Sequence, residues 1–398
     1  MRLLVISHKE TWRHSQDASG FVTIGGFPFQ MQAIAELFEH TTVMVPVRTT
    51  TTPAGATPLE GNNLQVHPLP EPAGRDLKRK LALIPWLLGN LQTVWEAVAR
   101  SDALHTPVPG DIGAVGLIVA LLQHKPLFVR HCGTWGEPVT LSDRLLLWLL
   151  QRIAGGQNVV MATGGGEAPP SEKNPHIRWI FSTTLTQREL DSLPRAKPWQ
   201  PGKPLRMVTV GRLSQGKNTA AAIKAMPNIL KKIEHVSLDV VGEGVSQGDL
   251  KKLARELGLS DRVYFHGNLP HEQVLETLSH SHLFLFPTRV KEGFPKALLE
   301  AMACGLPCIA TRVSVTPHLL GNGCGVLVDD PSQDNVAQAV LAMIDEPKNM
   351  EQMGNKARHK AVEYSLEGWR DQIGERLGAA WGPLKSENAR DKIATAQI

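Results

Sequence analysis

The sequence runs to 398 residues, 42% hydrophobic and 20% charged, a length too great for one ordinary core that fits two domains of roughly 200 residues or fewer. Its 35 Gly and 28 Pro are spread along the chain rather than gathered into a low-complexity tract, which argues against disorder as the main state. A net charge of +4, with no long Lys/Arg block or basic-aromatic array, excludes nucleic acid as an expected partner and leaves acidic small ligands or an anionic membrane face.

Residues 1–7 carry an apolar run too short for a signal-peptide core, and it meets polar His8, Lys9 and Glu10 at once, so it reads as a first strand. Further short β-rich runs follow at 42–45, 64–67, 103–105, 127–130 and 159–162, with helical spacing over 29–38, 77–98 and 141–153. Such alternation predicts a largely parallel sheet covered by helices. The longest apolar stretches, 112–122 and 145–150, fall short of a bilayer span, so no integral membrane segment is expected. Residues 191–204 change character: Pro194, Pro198, Pro201 and Pro204 disfavour helix and central strand and mark a linker. The alternation then restarts, with strands expected at 206–210, 237–241, 262–265, 282–286 and 308–310 and helices at 333–344, 351–363 and 366–381. The reading is an α/β chain of two doubly wound domains, 1–190 and 205–365, joined by the linker. A C-terminal helix at 366–384 that can cross back to the first domain, and a polar flexible tail at 385–398, complete it. Cys132, Cys304, Cys308 and Cys324 lie at no recognisable metal spacing and, without a secretory signal, are expected as reduced thiols in the cytoplasm.

The segment richest in chemistry is residues 286–307. A strand ends at Phe286, a polar loop carries Glu292 and Gly293, and Pro295 is suited to open a helix because its missing N–H costs nothing there. Backbone N–H groups around Gly293, Phe294 and Pro295 then make an anion site fitted to a diphosphate. Glu300, about one and a half turns into that helix, is within reach of a ribose hydroxyl. Plainer readings exist: an i,i+4 ion pair of Glu300 with Lys296, and a solvated loop acid for Glu292. A second segment stops its strand at Gly211 and follows it with Arg212 and Lys217, cations that can neutralise a leaving diphosphate without metal. The plainer reading there is a basic loop capping the next helix. No Asp-x-Asp occurs, so a bridging divalent cation has no evident ligand.

Together, Glu292-Gly-Phe-Pro and the following Leu-Leu-Glu300-Ala-Met-Ala-Cys-Gly-Leu-Pro resemble the E-x7-E signature of glycosyltransferase family 4, retaining enzymes of the GT-B fold. The Gly211-Arg212 to Lys217 segment looks like that family's G-R-x(4)-K element, whose cations clamp the donor phosphates. Val240-Val-Gly242-Glu-Gly244 resembles its V-G-x-G strand end, and residues 263–269, ending at Leu269, resemble the strand and loop that meet the nucleotide base. The match is strong over about residues 206–330. Before it, Gly20, Gly25 and Gly26 stand where the family has a glycine-rich loop beside the diphosphate, although a flexible turn would also explain them. His131 stands where the family's imidazole touches the transferred sugar, at a strand end where α/β proteins place ligand contacts. Residues 313–318 and 181–184 depart from the family pattern, which bears on sugar identity and acceptor geometry more than on diphosphate binding.

The resemblance implies two Rossmann-like domains facing a central cleft, with the nucleotide on the C-terminal one and the acceptor met mainly by the N-terminal one. Glu292, His131, Arg212 and Lys217 are implied in catalysis; Gly25, Gly26, Gly211, Gly242, Leu269, Gly293, Phe294, Pro295 and Glu300, with Arg212, Lys217 and Glu292, are implied in donor binding. No nucleophile is assigned. The expected reaction moves a hexose-type sugar from a UDP- or GDP-linked donor to a saccharide or lipid-linked hydroxyl, as in cell-surface polysaccharide or glycolipid synthesis, with no cofactor or metal. Rivals are an epimerase or phosphorylase on the same fold and a non-catalytic sugar-nucleotide binder. A dinucleotide oxidoreductase is disfavoured, since no Gly-x-Gly-x-x-Gly follows the first strand. The basic-apolar stretch 75–91, with Trp86 and Trp95 nearby, has two readings, a peripheral contact with the inner membrane face and a core helix with solvated charges; the core helix is favoured. Oligomeric state is left open.

Overall fold

The computed structural model describes residues 1–14, 19–53, 55–74 and 76–385, so the expected tail lies almost wholly outside the described residues, as does Arg75. The chain divides into two units: residues 1–163 and 168–184 with the described residues from 366 on, and residues 164–167 with 185–365.

The first unit is built from β1 (Arg2–Ile6), β2 (Thr11–Arg13), β3 (Phe21–Thr23), α1 (Phe27–Ala35), β4 (His40–Arg48), β5 (Thr57–Pro58), β6 (Leu64–Pro70), α2 (Asp76–Arg100), β7 (Ala103–Val108), α3 (Asp111–Leu122), β8 (Leu127–His131), α4 (Leu141–Ile153), β9 (Asn158–Thr163) and β10 (Arg178–Ile180). Its sheet runs β10-β9-β8-β7-β1-β4, with β6 on β4; these strands are parallel, and the short β2, β3 and β5 extend it beyond β4. Side chains alternate across β1, so Leu4 and Ile6 enter a core with α2, α3 and α4 while Leu3 and Val5 enter another with α1. No helix among the described residues is long and apolar enough to cross a membrane.

The second unit begins with α5 (Gln187–Ser192) and alternates β11 (Leu205–Val210), α6 (Thr219–Leu230), β12 (Val236–Val241), α7 (Gln247–Glu256), β13 (Val263–Gly267), α8 (His271–Ser279), β14 (Leu283–Phe286), α9 (Lys296–Ala303), β15 (Cys308–Thr311), α10 (Thr316–Leu320), β16 (Val326–Val328), α11 (Gln333–Asp345) and α12 (Pro347–Ala361). Its six parallel strands lie in the order β13-β12-β11-β14-β15-β16. Numbered along the chain that is 3-2-1-4-5-6, the doubly wound order whose switch point falls between β11 and β14.

Two boundaries differ from the sequence reading. The division falls between Thr184 and Leu185, and the proline-rich stretch packs on the second unit instead of hanging free. Trp199 is buried in that unit's core, and the Ala196 N–H donates to the Cys304 carbonyl at 2.8 Å. The last helix, α13 (Leu366–Trp381), returns to the first unit, burying Trp369, Ile373 and Leu377 beside Phe38 and Phe128. Each such side chain contributes about 1.5–3 kcal/mol, which fixes where the helix docks.

Candidate functional site

In the doubly wound order, strand ends on either side of the switch point open a crevice for a ligand. Here β11 pairs directly with β14, Val208 opposite Phe284, so the loop after Val210 and the loop after Phe286 leave the sheet side by side. They are tied together: the Arg289 N–H donates to the Gly216 carbonyl at 2.8 Å, and Lys217 Nζ pairs with the Glu292 carboxylate. Nζ also stands 5.4 Å from the centre of the Phe286 ring. Lys217 and Glu292, 75 residues apart, thus meet, each about three-quarters buried. Glu292 is therefore no solvated loop acid. Ser314 steadies the same turn by donating from Oγ to the Glu292 carbonyl at 2.5 Å. Arg212 is exposed, and its guanidinium makes no hydrogen bond or ion pair among the described residues. The two cations consequently differ: one is already matched by an acid, and the other is open to an anion.

The glycines serve unequal purposes. A Cβ on Gly211 would meet nothing within 4 Å, leaving room above the strand end. On Gly242 it would lie 2.1 Å from the Gly211 carbonyl oxygen, and on Gly244 2.2 Å from that of Leu213. Those two glycines let the ends of β11 and β12 touch, backbone against backbone, with the Leu213 N–H donating to the Glu243 carbonyl at 2.8 Å. Leu269 follows β13 half-buried, next to Asn268, whose amide donates to Glu243 Oε2 at 3.1 Å.

Helix α9 corrects three details. Pro295 caps the helix and does not begin it: its carbonyl accepts from the Leu298 and Leu299 N–H groups at 3.1 and 3.2 Å. The Phe294 ring is buried 5.6 Å from that of Tyr364, so its side chain is taken up by packing. Glu300 is buried, which rules out the exposed ion pair with Lys296. Burial is the main force raising the Glu300 carboxyl above the usual carboxylate range, opposed by His271 and Lys296. His271 Nδ1 lies 3.8 Å from Glu300 Oε1, and its Nε2 lies 3.9 Å from Glu189 Oε1. Sequence reasoning missed His271, Glu189 and Ser314; nothing in local spacing marks them.

In the first unit, Gly25 has φ +76°, a conformation that suits glycine alone, and Gly26 caps α1. His131 closes β8, buried with its ring edge-on to Trp135. Its Nδ1 is 3.1 Å from the Gly133 carbonyl oxygen, which can only accept. In the neutral ring the proton therefore sits on Nδ1 and Nε2 is an acceptor. Burial lowers the imidazole's pKa and favours that neutral form.

Residues 194–360 match the family model of glycosyl transferases group 1. Through this stretch the chain is similar to the group 1 glycosyltransferases. Over 291 residues it is 28% identical to the GDP-mannose-dependent alpha-(1-6)-phosphatidylinositol monomannoside mannosyltransferase of Mycolicibacterium smegmatis, covering 69% of this chain and 72% of that one. A GDP-mannose-dependent monoacylated alpha-(1-6)-phosphatidylinositol monomannoside mannosyltransferase of Corynebacterium glutamicum is 31% identical over 173 residues, 42% of this chain and 44% of its own. That match spans less than half of the corynebacterial protein. Among solved structures, Anabaena HepE, bound to UDP and glucose, aligns with 95% of this chain and 100% of its own at 18% identity and a TM-score of 0.67. WaaG, a glycosyltransferase of lipopolysaccharide biosynthesis, aligns at 14% identity with a TM-score of 0.61, over 95% of this chain and 99% of its own. These likenesses show the GT-B fold.

Proposed function

We propose that the chain is a retaining glycosyltransferase that moves a hexose-type sugar from a UDP- or GDP-linked donor to a hydroxyl acceptor. The observation that carries this reading is the meeting of the 211–217 and 287–295 loops at the β11/β14 switch point, joined through Lys217 and Glu292. As the bond from the sugar's anomeric carbon to the diphosphate breaks, negative charge grows on the leaving oxygen. Arg212, Lys217 and the start of α9 are fixed positive groups suited to stabilise it. His131, neutral and with Nε2 as acceptor, is suited to receive a hydroxyl of the transferred sugar. Glu300 is assigned to the ribose.

The relatives named for phosphatidylinositol mannosides support a lipid-linked acceptor reached from a membrane face. The structure divides α2 between two roles: Trp86, Val94 and Val98 are core, while Leu81, Ile84, Leu88, Leu91 and Trp95 form an exposed stripe. The core reading of this helix holds for the first stripe, and we assign the second to peripheral membrane contact.

The test is product analysis. Donors that shift the melting temperature in a panel of UDP- and GDP-sugars are incubated with and without acceptor, and the new linkage is read by NMR. An acceptor-dependent product of retained configuration is expected. Acceptor-independent epimerisation, phosphate-dependent release of a sugar 1-phosphate, or binding with no turnover would each overturn the assignment in favour of a different activity.

A further inference from the structure

His271 opens α8 at the rim of the proposed donor site and takes no part in the scheme above. Each of its ring nitrogens faces a different carboxylate: Nδ1 that of Glu300 on α9, at 3.8 Å, and Nε2 that of Glu189 on α5, at 3.9 Å. Nε2 is buried and has no hydrogen-bond partner among the described residues. Glu189 is itself held in place, because its other oxygen accepts from the Thr186 N–H and hydroxyl, both at 2.7 Å. The Glu300 carboxylate accepts no hydrogen bond among the described residues. It is a buried acid facing one imidazole, with Lys296 a turn earlier on its own helix and Glu272 next to His271 on α8 completing the local charges.

We infer that His271 is a positioning residue for nucleotide recognition: bridged between Glu189 and Glu300, it holds the Glu300 carboxylate aimed and ionised to accept a ribose hydroxyl. The inference rests on the assignment of this site to a nucleotide sugar. An imidazolium has two N–H donors and can serve both acids, whereas the neutral ring has one and must leave one acid without a donor. Glu300, raised by burial, must be ionised to accept, so nucleotide affinity falls as pH drops through its elevated pKa.

The experiment is calorimetric titration of the full chain with UDP, GDP and inorganic pyrophosphate at acid, neutral and mildly alkaline pH. Wild type is compared with His271→Gln, Glu189→Gln and Glu300→Gln. Nucleotide affinity of His271→Gln should drop by about tenfold, the scale of a lost interaction with a charged group, and its fall toward acid pH should begin at higher pH, because Glu300 loses the imidazole that opposes its elevated pKa. Pyrophosphate, which lacks ribose, should bind all four proteins alike, a result that a merely structural role would not give. Adding His271→Gln to Glu300→Gln should cost nothing further. Glu189→Gln keeps a capping side chain at its helix position and should lower nucleotide affinity in part, so the inference stays open to refutation even if His271→Gln folds poorly. A His271→Gln protein with wild-type affinity and pH profile would overturn the inference alone. Wild-type chain that binds neither nucleotide would remove the site assignment beneath it.

Discussion

Lys217 and Arg212 are both cations on one loop, yet their surroundings give them different fates on substitution. Lys217→Ala strands the Glu292 carboxylate, which is about three-quarters buried, and so removes a proposed phosphate contact and leaves an uncompensated charge. Arg212→Ala removes only an exposed group with no partner among the described residues. Arg212→Ala should therefore keep the wild-type melting temperature while kcat/KM falls about 100-fold, the scale of one lost transition-state donor. Lys217→Ala should lose both activity and thermal stability. Equal activity of Arg212→Ala and wild type in the donor assay would end the proposed role of Arg212. At this scale the charged residues are legible as candidates because of their spacing: Glu292, Glu300, Arg212 and Lys217 each sit at a fixed offset from a strand end. What spacing does not carry is pairing. That Lys217 meets Glu292, that Glu300 is buried against His271, and that Ser314 supports the 292 turn all depend on the strand order. The same holds for Gly242, legible as a glycine motif but occupied in bringing two backbones together.

Among the elements, α4 and α13 appear at their expected bounds because each is a long amphipathic helix with a clear apolar stripe. The strands β2, β3, β5, β10 and β16 were not foreseen: at two or three residues each they are too short to show a period. Helix α3 was seen only as an apolar run, since it is apolar on nearly every face and has little periodicity. Its exposed Ile118 and Leu122, with Leu141, Leu145 and Trp148 of α4, add to the exposed stripe of α2 on the side of the sheet those three helices share. Lys78, Lys80, Arg144 and Arg152 are exposed on the same helices, and the Arg152 guanidinium stands 5.4 Å from the Trp148 ring. Apolar residues fringed with cations suit an anionic bilayer. Wild-type chain should float with vesicles containing anionic lipid and do so less with zwitterionic ones, whereas Leu88→Glu combined with Trp148→Glu should stay at the bottom of the gradient with its melting temperature intact. Flotation of that double variant equal to wild type would exclude this face.

For the molecule as a whole, two doubly wound sheets were legible because strand and helix alternate twice along the sequence with a proline-rich interruption between. The boundary itself was misplaced, and the reason is physical: prolines report that a segment lacks regular hydrogen bonding, not which body it packs against, and buried Trp199 decides that. The same large-scale view bears on metal. A departing diphosphate needs positive charge, and enzymes commonly supply it either as a divalent cation on carboxylates or as side-chain cations with a helix terminus. In this chain the carboxylate best placed for the first solution, Glu292, is already paired with Lys217, while Arg212 lies open on the adjoining turn. We propose the second solution. Turnover by the full chain should then be unchanged by excess EDTA, and added magnesium should neither restore nor raise it; activity that EDTA abolishes and magnesium returns would mean that Glu292 gives up Lys217 to bind a cation.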